Sequence, residues 1–237
     1  MFNNLILNLK SAKKAVKSPK IDNFCIPRYL GLKYTLLPLI IIILLVFIHV
    51  DSPVDNYILT LSTETKSIFN KITGFGKADW MIYVCIVILA MRLLLDRKSL
   101  SRPVTSILDK ATSYVCFILS SIIISGILGQ FLKVAIGRAR PKFFIEHGSA
   151  YFEHFQHIGY DFASMPSGHS ITIGSLFACF FFIFPKLRYI WVILAILFAS
   201  SRVMVSAHYP SDVIFGLSFG AYTSIFIYYW MKNRKLI

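Results

Sequence analysis

The sequence predicts an all-α integral membrane bundle of six transmembrane helices, with both termini cytoplasmic and an amphipathic helix at the N-terminal interface. Three observations carry this expectation. The chain is 56% hydrophobic with a mean hydropathy of +0.66, well above the soluble range. Its apolar residues gather into six runs bounded by charges, and Lys and Arg divide unevenly between alternate sides of those runs. In a soluble chain a net charge of +14 would suggest a nucleic-acid partner. Here the charges flank apolar runs and follow the charge rules of a bilayer, so a membrane, not nucleic acid, is the expected partner.

Residues 1–33 form a basic leader. Phe2, Leu5, Ile6, Leu9, Ala12 and Val16 recur at helical spacing, with Lys10, Lys13, Lys14, Lys17 and Lys20 among and after them. That pattern suits a helix lying on the anionic cytoplasmic leaflet, and a basic tail that only sets topology is equally compatible. No apolar segment near the N-terminus has the length of a secretory signal. Residues 34–237 then read as one six-span domain whose functional residues fall between 133 and 212.

The six runs cover 34–50, 80–95, 111–132, 170–185, 189–201 and 213–231. The third and sixth have the ~20 uncharged residues of a full span. The second contains Arg92, which must reach toward a headgroup. The fourth and fifth are short, but their polar ends coincide with the motifs below and can continue as helix lining a protein site. Four cysteines (Cys25, Cys85, Cys116 and Cys179) show no CxxC pairing, and neither disulfides nor a zinc site is expected.

Orientation follows from Lys and Arg. One side, taking residues 1–33, 92–110, 186–188 and 232–235, carries 17 of them against 3 acidic residues; the other carries 8 against 8. The first side is predicted to be cytoplasmic. His169 and Ser201 lie 32 positions apart around Phe184-Pro185-Lys186, so two helices of ~16 residues, each rising ~24 Å, return the chain to its starting face. Lys133 and the His208 loop emerge on that same face, which is predicted to look toward the periplasm or exterior.

Three short stretches meeting there carry the chemistry. In Lys133-VAIGRA-Arg140-Pro141 the two cations are seven apart, two helical turns. Gly137 and the Arg-Pro step predict that the helix ends before Arg140. Arg offers forked donors to phosphate oxygens and Lys a point charge. Arg138 and Lys142 read instead as interfacial cations facing headgroups. In Pro166-Ser167-Gly168-His169, Ser167 suits an N-cap whose following N–H groups face an anion, and Gly168 permits close backbone approach. His169 is placed to protonate a departing alkoxide.

In Ser201-Arg202-VMVSA-His208-YPS-Asp212, Arg202 adds a third cation. His208 and Asp212 are four apart, with Pro210 suited to a helix start. A carboxylate on one ring nitrogen leaves the other free to attack, which makes His208 the nucleophile and His169 the acid. His49, His147, His154 and His157 lack comparable partners, although Glu153 and Asp161 lie near some of them in sequence. No metal-ligand spacing appears, so no cofactor is expected. The loop 143–162 is rich in aromatics (Phe143, Phe144, Tyr151, Phe152, Phe155, Tyr160 and Phe162). It can guide an amphiphile or simply anchor at the interface, and anchoring is the favoured reading.

The order Lys-x6-Arg-Pro, Pro-Ser-Gly-His, Ser-Arg-x5-His-x3-Asp resembles the type 2 phosphatidic acid phosphatase superfamily in all three blocks. That resemblance implies phosphate binding by Lys133, Arg140, Ser167, Gly168 and Arg202, a general acid in His169, and a phosphohistidine on His208 oriented by Asp212. Ser201 matches the motif without a clear role. It implies a phosphoric ester hydrolase of the bacterial inner membrane, acting on a phosphorylated lipid at the periplasmic face. A short chain without an added soluble domain favours lipid A 1-phosphate; undecaprenyl diphosphate, phosphatidylglycerol phosphate and phosphatidic acid are the alternatives. Phosphotransfer between lipids and anion transport are the competing readings. Residues 1–33 and 51–79 lie outside the resemblance.

Overall fold

The computed structural model describes residues 27–96, 100–155 and 161–237. The leader helix expected over residues 1–33 falls largely outside the described residues, as do His157 and Tyr160. All six apolar runs are helical. The helices longer than one turn are α1 (Leu32–His49), α2 (Asp51–Leu59), α3 (Thr63–Thr73), α4 (Ala78–Leu94), α5 (Arg102–Ile136), α6 (Gly168–Ile183), α7 (Arg188–Met204) and α8 (Pro210–Asn233). Among the described residues there is no strand, only an isolated bridge between Arg138 and Phe152.

Among the described residues three helices are long and apolar enough to cross a membrane: Arg102–Ile136, Pro185–Met204 and Pro210–Asn233. The bent pair Lys33–His49 and Asp51–Leu59, angled by 49°, adds a fourth if it forms one broken span. Outward faces of α1, α4 and α7 expose Leu37, Ile48, Tyr83, Met91 and Ile193 by 60% or more, the surface a hydrocarbon solvent permits and water does not.

The core is built on α6, which packs against α5, α7 and α8. Lipid supplies no hydrophobic drive between helices, so close backbone approach and polar contacts do that work. A Cβ on Gly174 would collide with the carbonyl of Leu217, and one on Gly220 with that of Ile171. Only glycine at both positions lets α6 and α8 meet backbone to backbone. Serines bind the same seam: Ser125 and Ser175 hydroxyls lie 2.7 Å apart, and Ser175 and Ser224 donate to Gly220 and Ser175 carbonyls at 3.2 Å. Met81, Ile122, Ile173, Phe177, Ala199 and Val213 fill the space beside this seam.

Arg92 does not extend to a headgroup as its sequence position suggested. It is buried and its Nη2 pairs with Asp109 at 2.6 Å, tying α4 to α5. Meeting a carboxylate removes the need to carry the charge to the membrane surface. Residues 51–79 hold two helices and a single 3₁₀ turn, Gly74–Gly76, that folds against the head of α6.

Candidate active site

Three chain reversals gather the motif residues at one end of the bundle. α5 ends where Gly137 adopts φ 62°, and a Cβ there would also strike the Glu153 carbonyl; glycine is needed for conformation and space alike. Arg140 therefore sits on extended backbone beyond the helix, as the Arg-Pro step predicted. Ser167 caps α6, its hydroxyl accepting from Ser170 N–H. Pro210 opens α8, where the Asp212 carboxylate accepts from Tyr209 N–H at 3.0 Å.

Backbone hydrogen bonds join these segments directly. Ser164 N–H donates to the Arg138 carbonyl at 3.0 Å, Ser167 N–H to the Asp212 carbonyl at 3.1 Å, and Arg140 N–H to the Asp161 carbonyl at 3.1 Å. Residues far apart in sequence are thus held by short, obligatory bonds.

Lys133 and Arg140 converge on one carbonyl. Lys133 Nζ donates to Ala163 O at 2.7 Å and Arg140 Nη2 to the same oxygen at 3.3 Å. The side chain of Lys133 passes Gly168 closely, a Cβ there standing 3.6 Å from Lys133 Cε. Arg202 enters from α7, with Nη1 on Thr73 Oγ1 at 2.8 Å. The charges of Arg202, Lys77, Lys133 and Arg140 all reach His169, whose ring lies against Gly76. The concentration of like charge is what a bound anion would relieve.

His208 is 2% exposed, and its Nδ1 lies 2.7 Å from the carbonyl oxygen of Ser164. A carbonyl only accepts, so Nδ1 carries the proton and Nε2 the lone pair. Nε2 faces Arg140 Nη1 at 3.4 Å, toward the cations. Burial, reinforced by Lys133 and Arg140 and opposed by Asp212, pushes the imidazole pKa down to about 3. The ring is a neutral base at neutral pH.

Asp212 stands 3.7 Å from Nδ1, close enough to act through charge while the direct bond goes to Ser164. Its own partners are Ser164 Oγ at 2.5 Å and Arg138 Nη1 at 2.6 Å. Arg138 departs from the headgroup-facing position expected of it: it is fully buried. It also donates to Asp51, Ser149 and Ser211. Tyr209 and Phe47 cover its guanidinium at 4.1 and 4.8 Å.

Several residues to which the sequence assigned no part in the chemistry therefore touch the site, among them Asp51, Thr73, Gly76, Arg138 and Ser164. An Asp closing an apolar run, and a second Arg beside the first in Gly-Arg-Ala-Arg-Pro, were the only sequence signals for them. Ser201 packs inside α7, donating to Phe198 O at 2.6 Å. Lys142 does face outward, pairing with Asp161 at 2.5 Å.

The aromatic loop also differs from a plain interfacial anchor. Phe143 stacks on Phe162 at 5.7 Å, His147 on Tyr151 at 4.2 Å, and Phe152 meets Phe47 at 5.9 Å beside Arg138. These rings pack on one another and over the buried charge; Phe155 remains 72% exposed. Among the described residues no three His, Cys, Asp or Glu side chains group as metal ligands.

Comparison with known proteins agrees with this architecture. The sequence profile of the PAP2 superfamily matches residues 114–236. Lipid A 1-phosphatases of Rhizobium johnstonii and Rhizobium etli are each 40% identical over 166 residues, 68% of this chain. The match spans 65% and 68% of those relatives' own lengths. A PAP2-type phosphatidylglycerolphosphate phosphatase from Bacillus subtilis superposes with a TM-score of 0.56 at 21% identity, covering 84% of this chain and 96% of that one. At that identity the likeness concerns the fold.

Proposed function

We propose that this chain, which belongs to the PAP2 superfamily, is a lipid phosphatase that cleaves a phosphate monoester through a phosphohistidine on His208. The observation that carries the reading is the paired placement of His208. Its Nδ1–H is held by the Ser164 carbonyl while the Nε2 lone pair faces Arg140 beside Lys133.

In the first half-reaction Nε2 attacks phosphorus. The N–P bond forms as the P–O bond to the lipid breaks, and the departing oxygen takes a proton from His169. Lys133, Arg140, Arg202, the Ser167 hydroxyl and the Gly168 N–H hold the phosphoryl oxygens and offset the charge that builds on them. In the second half-reaction water gives a proton to His169 and attacks phosphorus. The N–P bond breaks, inorganic phosphate leaves, and His208 regains its lone pair. The protein's own cations supply the charge stabilisation, so the reaction is expected to proceed without a metal.

The names of the Rhizobium relatives favour the 1-phosphate of lipid A as substrate. The excess of Lys and Arg on the side opposite the site supports six spans, cytoplasmic termini and a periplasmic active site in the inner membrane.

The test is phosphate release by the detergent-solubilised protein in EDTA. Lipid A, undecaprenyl diphosphate, phosphatidylglycerol phosphate and phosphatidic acid form the panel. Release from lipid A lost in His208→Ala, with an alkali-stable phosphoenzyme trapped in the wild type, is the expected result. Unimpaired release by His208→Ala would refute the mechanism. Label passing between lipids without free phosphate would identify a phosphotransferase.

A further inference from the structure

Behind His208 lies a charge cluster that the reaction scheme does not use. Arg138 divides its guanidinium between two carboxylates: Nη1 meets Asp212 Oδ1 at 2.6 Å and Nη2 meets Asp51 Oδ2 at 2.8 Å, with all three side chains at 0% exposure. Ser211 closes the ring, its N–H donating to Asp51 Oδ1 at 2.9 Å and its hydroxyl to Asp51 Oδ2 at 2.5 Å. Ser211 Oγ also accepts from Arg138 Nη1 at 2.8 Å. Asp51 begins α2 at the bend after α1, 160 residues before Ser211.

We propose that Asp51 is a positioning residue for phosphoryl transfer, acting through Arg138 and Asp212 on His208. The inference rests on the phosphohistidine reading above. When Nε2 bonds to phosphorus, Nδ1 keeps its proton and the ring takes a formal positive charge. Asp212, 3.7 Å from Nδ1, is the carboxylate that faces this charge. Were Asp212 the sole partner of Arg138, the two would form a closed neutral pair, leaving little field for the imidazolium.

Asp51 on the other tine of the fork changes that balance. Two carboxylates, one guanidinium and one imidazolium sum to zero, so the buried cluster is balanced when His208 is phosphorylated. In a dehydrated interior such balance governs which charge state is tolerated. A merely structural Asp51 would do no more than tie the bend to the head of α8. Asp55, one turn along α2, is also buried but makes none of these bonds and serves as a control.

The test is steady-state kinetics together with rapid alkaline quench of the phosphoenzyme on the full chain in detergent. Asp51→Asn is expected to lower kcat and the rate of phosphoenzyme formation together by about tenfold or more, with KM within about twofold, the signature of an interaction made only in the transition state. Asp55→Asn should stay within about threefold of wild type. The double variant Asp51→Asn/Arg138→Gln frees Asp212 again and should exceed Asp51→Asn in kcat; a structural role predicts that it is worse. If Asp51→Asn does not fold, Asp51→Glu keeps the charge and should hold kcat within about threefold.

Asp51→Asn with unchanged kcat, or a folded Asp51→Glu reduced tenfold, would overturn the inference. In either case His208→Ala must still abolish release; if it does not, the phosphohistidine reading fails first and on separate grounds.

Discussion

The Nδ1–H of His208 donates to the carbonyl oxygen of Ser164 at 2.7 Å, and this single bond sets the chemistry of the ring. A backbone carbonyl cannot change protonation state, so the tautomer is fixed whatever the charge on nearby carboxylates. The arrangement separates two tasks. Ser164 orients the imidazole, and Asp212 supplies the negative field behind it.

Acidification should erode stability through His208. Its folded pKa of about 3 lies below the ~6.5 of an unfolded histidine, so between those values the unfolded chain binds the extra proton and stability falls as pH drops. The Tm of wild type measured in detergent should lose ground relative to His208→Gln as pH falls from 7 to 4. A constant difference across that range would mean the ring is not buried as a neutral base.

Removing the Ser164 hydroxyl should unsettle Asp212. Ser164→Ala deletes a hydrogen bond of 2.5 Å to a buried carboxylate, a loss of about 2 kcal/mol for a charged acceptor. Chemical or thermal unfolding should register that decrease, accompanied by a lower kcat. The carbonyl that holds Nδ1 is retained in this variant, so residual activity is expected.

Arg138 and Lys142, four residues apart, should behave in opposite ways. Arg138→Ala leaves two carboxylates buried without their partner and should cost about 3–5 kcal/mol, enough to deplete folded protein. Arg138→Lys should not restore it, because one ammonium cannot serve both tines of the fork. Lys142→Ala breaks a pair roughly half exposed on each side and should cost under about 1 kcal/mol. Yield and monodispersity in size-exclusion chromatography distinguish the two.

Gly76 should report on the position of His169. An added Cβ would stand 3.2 Å from both Cβ and the ring Cδ2 of His169, and the branched side chain of Gly76→Val would push the imidazole aside. A displacement near 1 Å at a reacting group can cost about 10²-fold. Gly76→Val is expected to lower kcat sharply while leaving Tm close to wild type. Equal activity would place the proton donor elsewhere.

The helices and their boundaries were legible because each rests on local signals. Apolar runs set the spans, Gly137 and the Arg140-Pro141 step ended α5, Ser167 capped α6, and Pro210 opened α8. The catalytic candidates were legible for a related reason: ionisable groups at the ends of apolar runs are costly, and those retained at regular spacing point to a shared task. Sequence order alone thus predicted an all-helical membrane protein with Lys133, Arg140, His169, Arg202, His208 and Asp212 as its candidate site residues. Which groups satisfy one another was decided only in three dimensions. Arg92 met Asp109, Arg138 was drawn inward between Asp51 and Asp212, and the Ser164 carbonyl, not Asp212, accepted the Nδ1–H hydrogen bond of His208. Those pairings span up to 87 residues. They are imposed because a buried charge or polar group must find its partner within the fold, a demand that no local pattern of residues records.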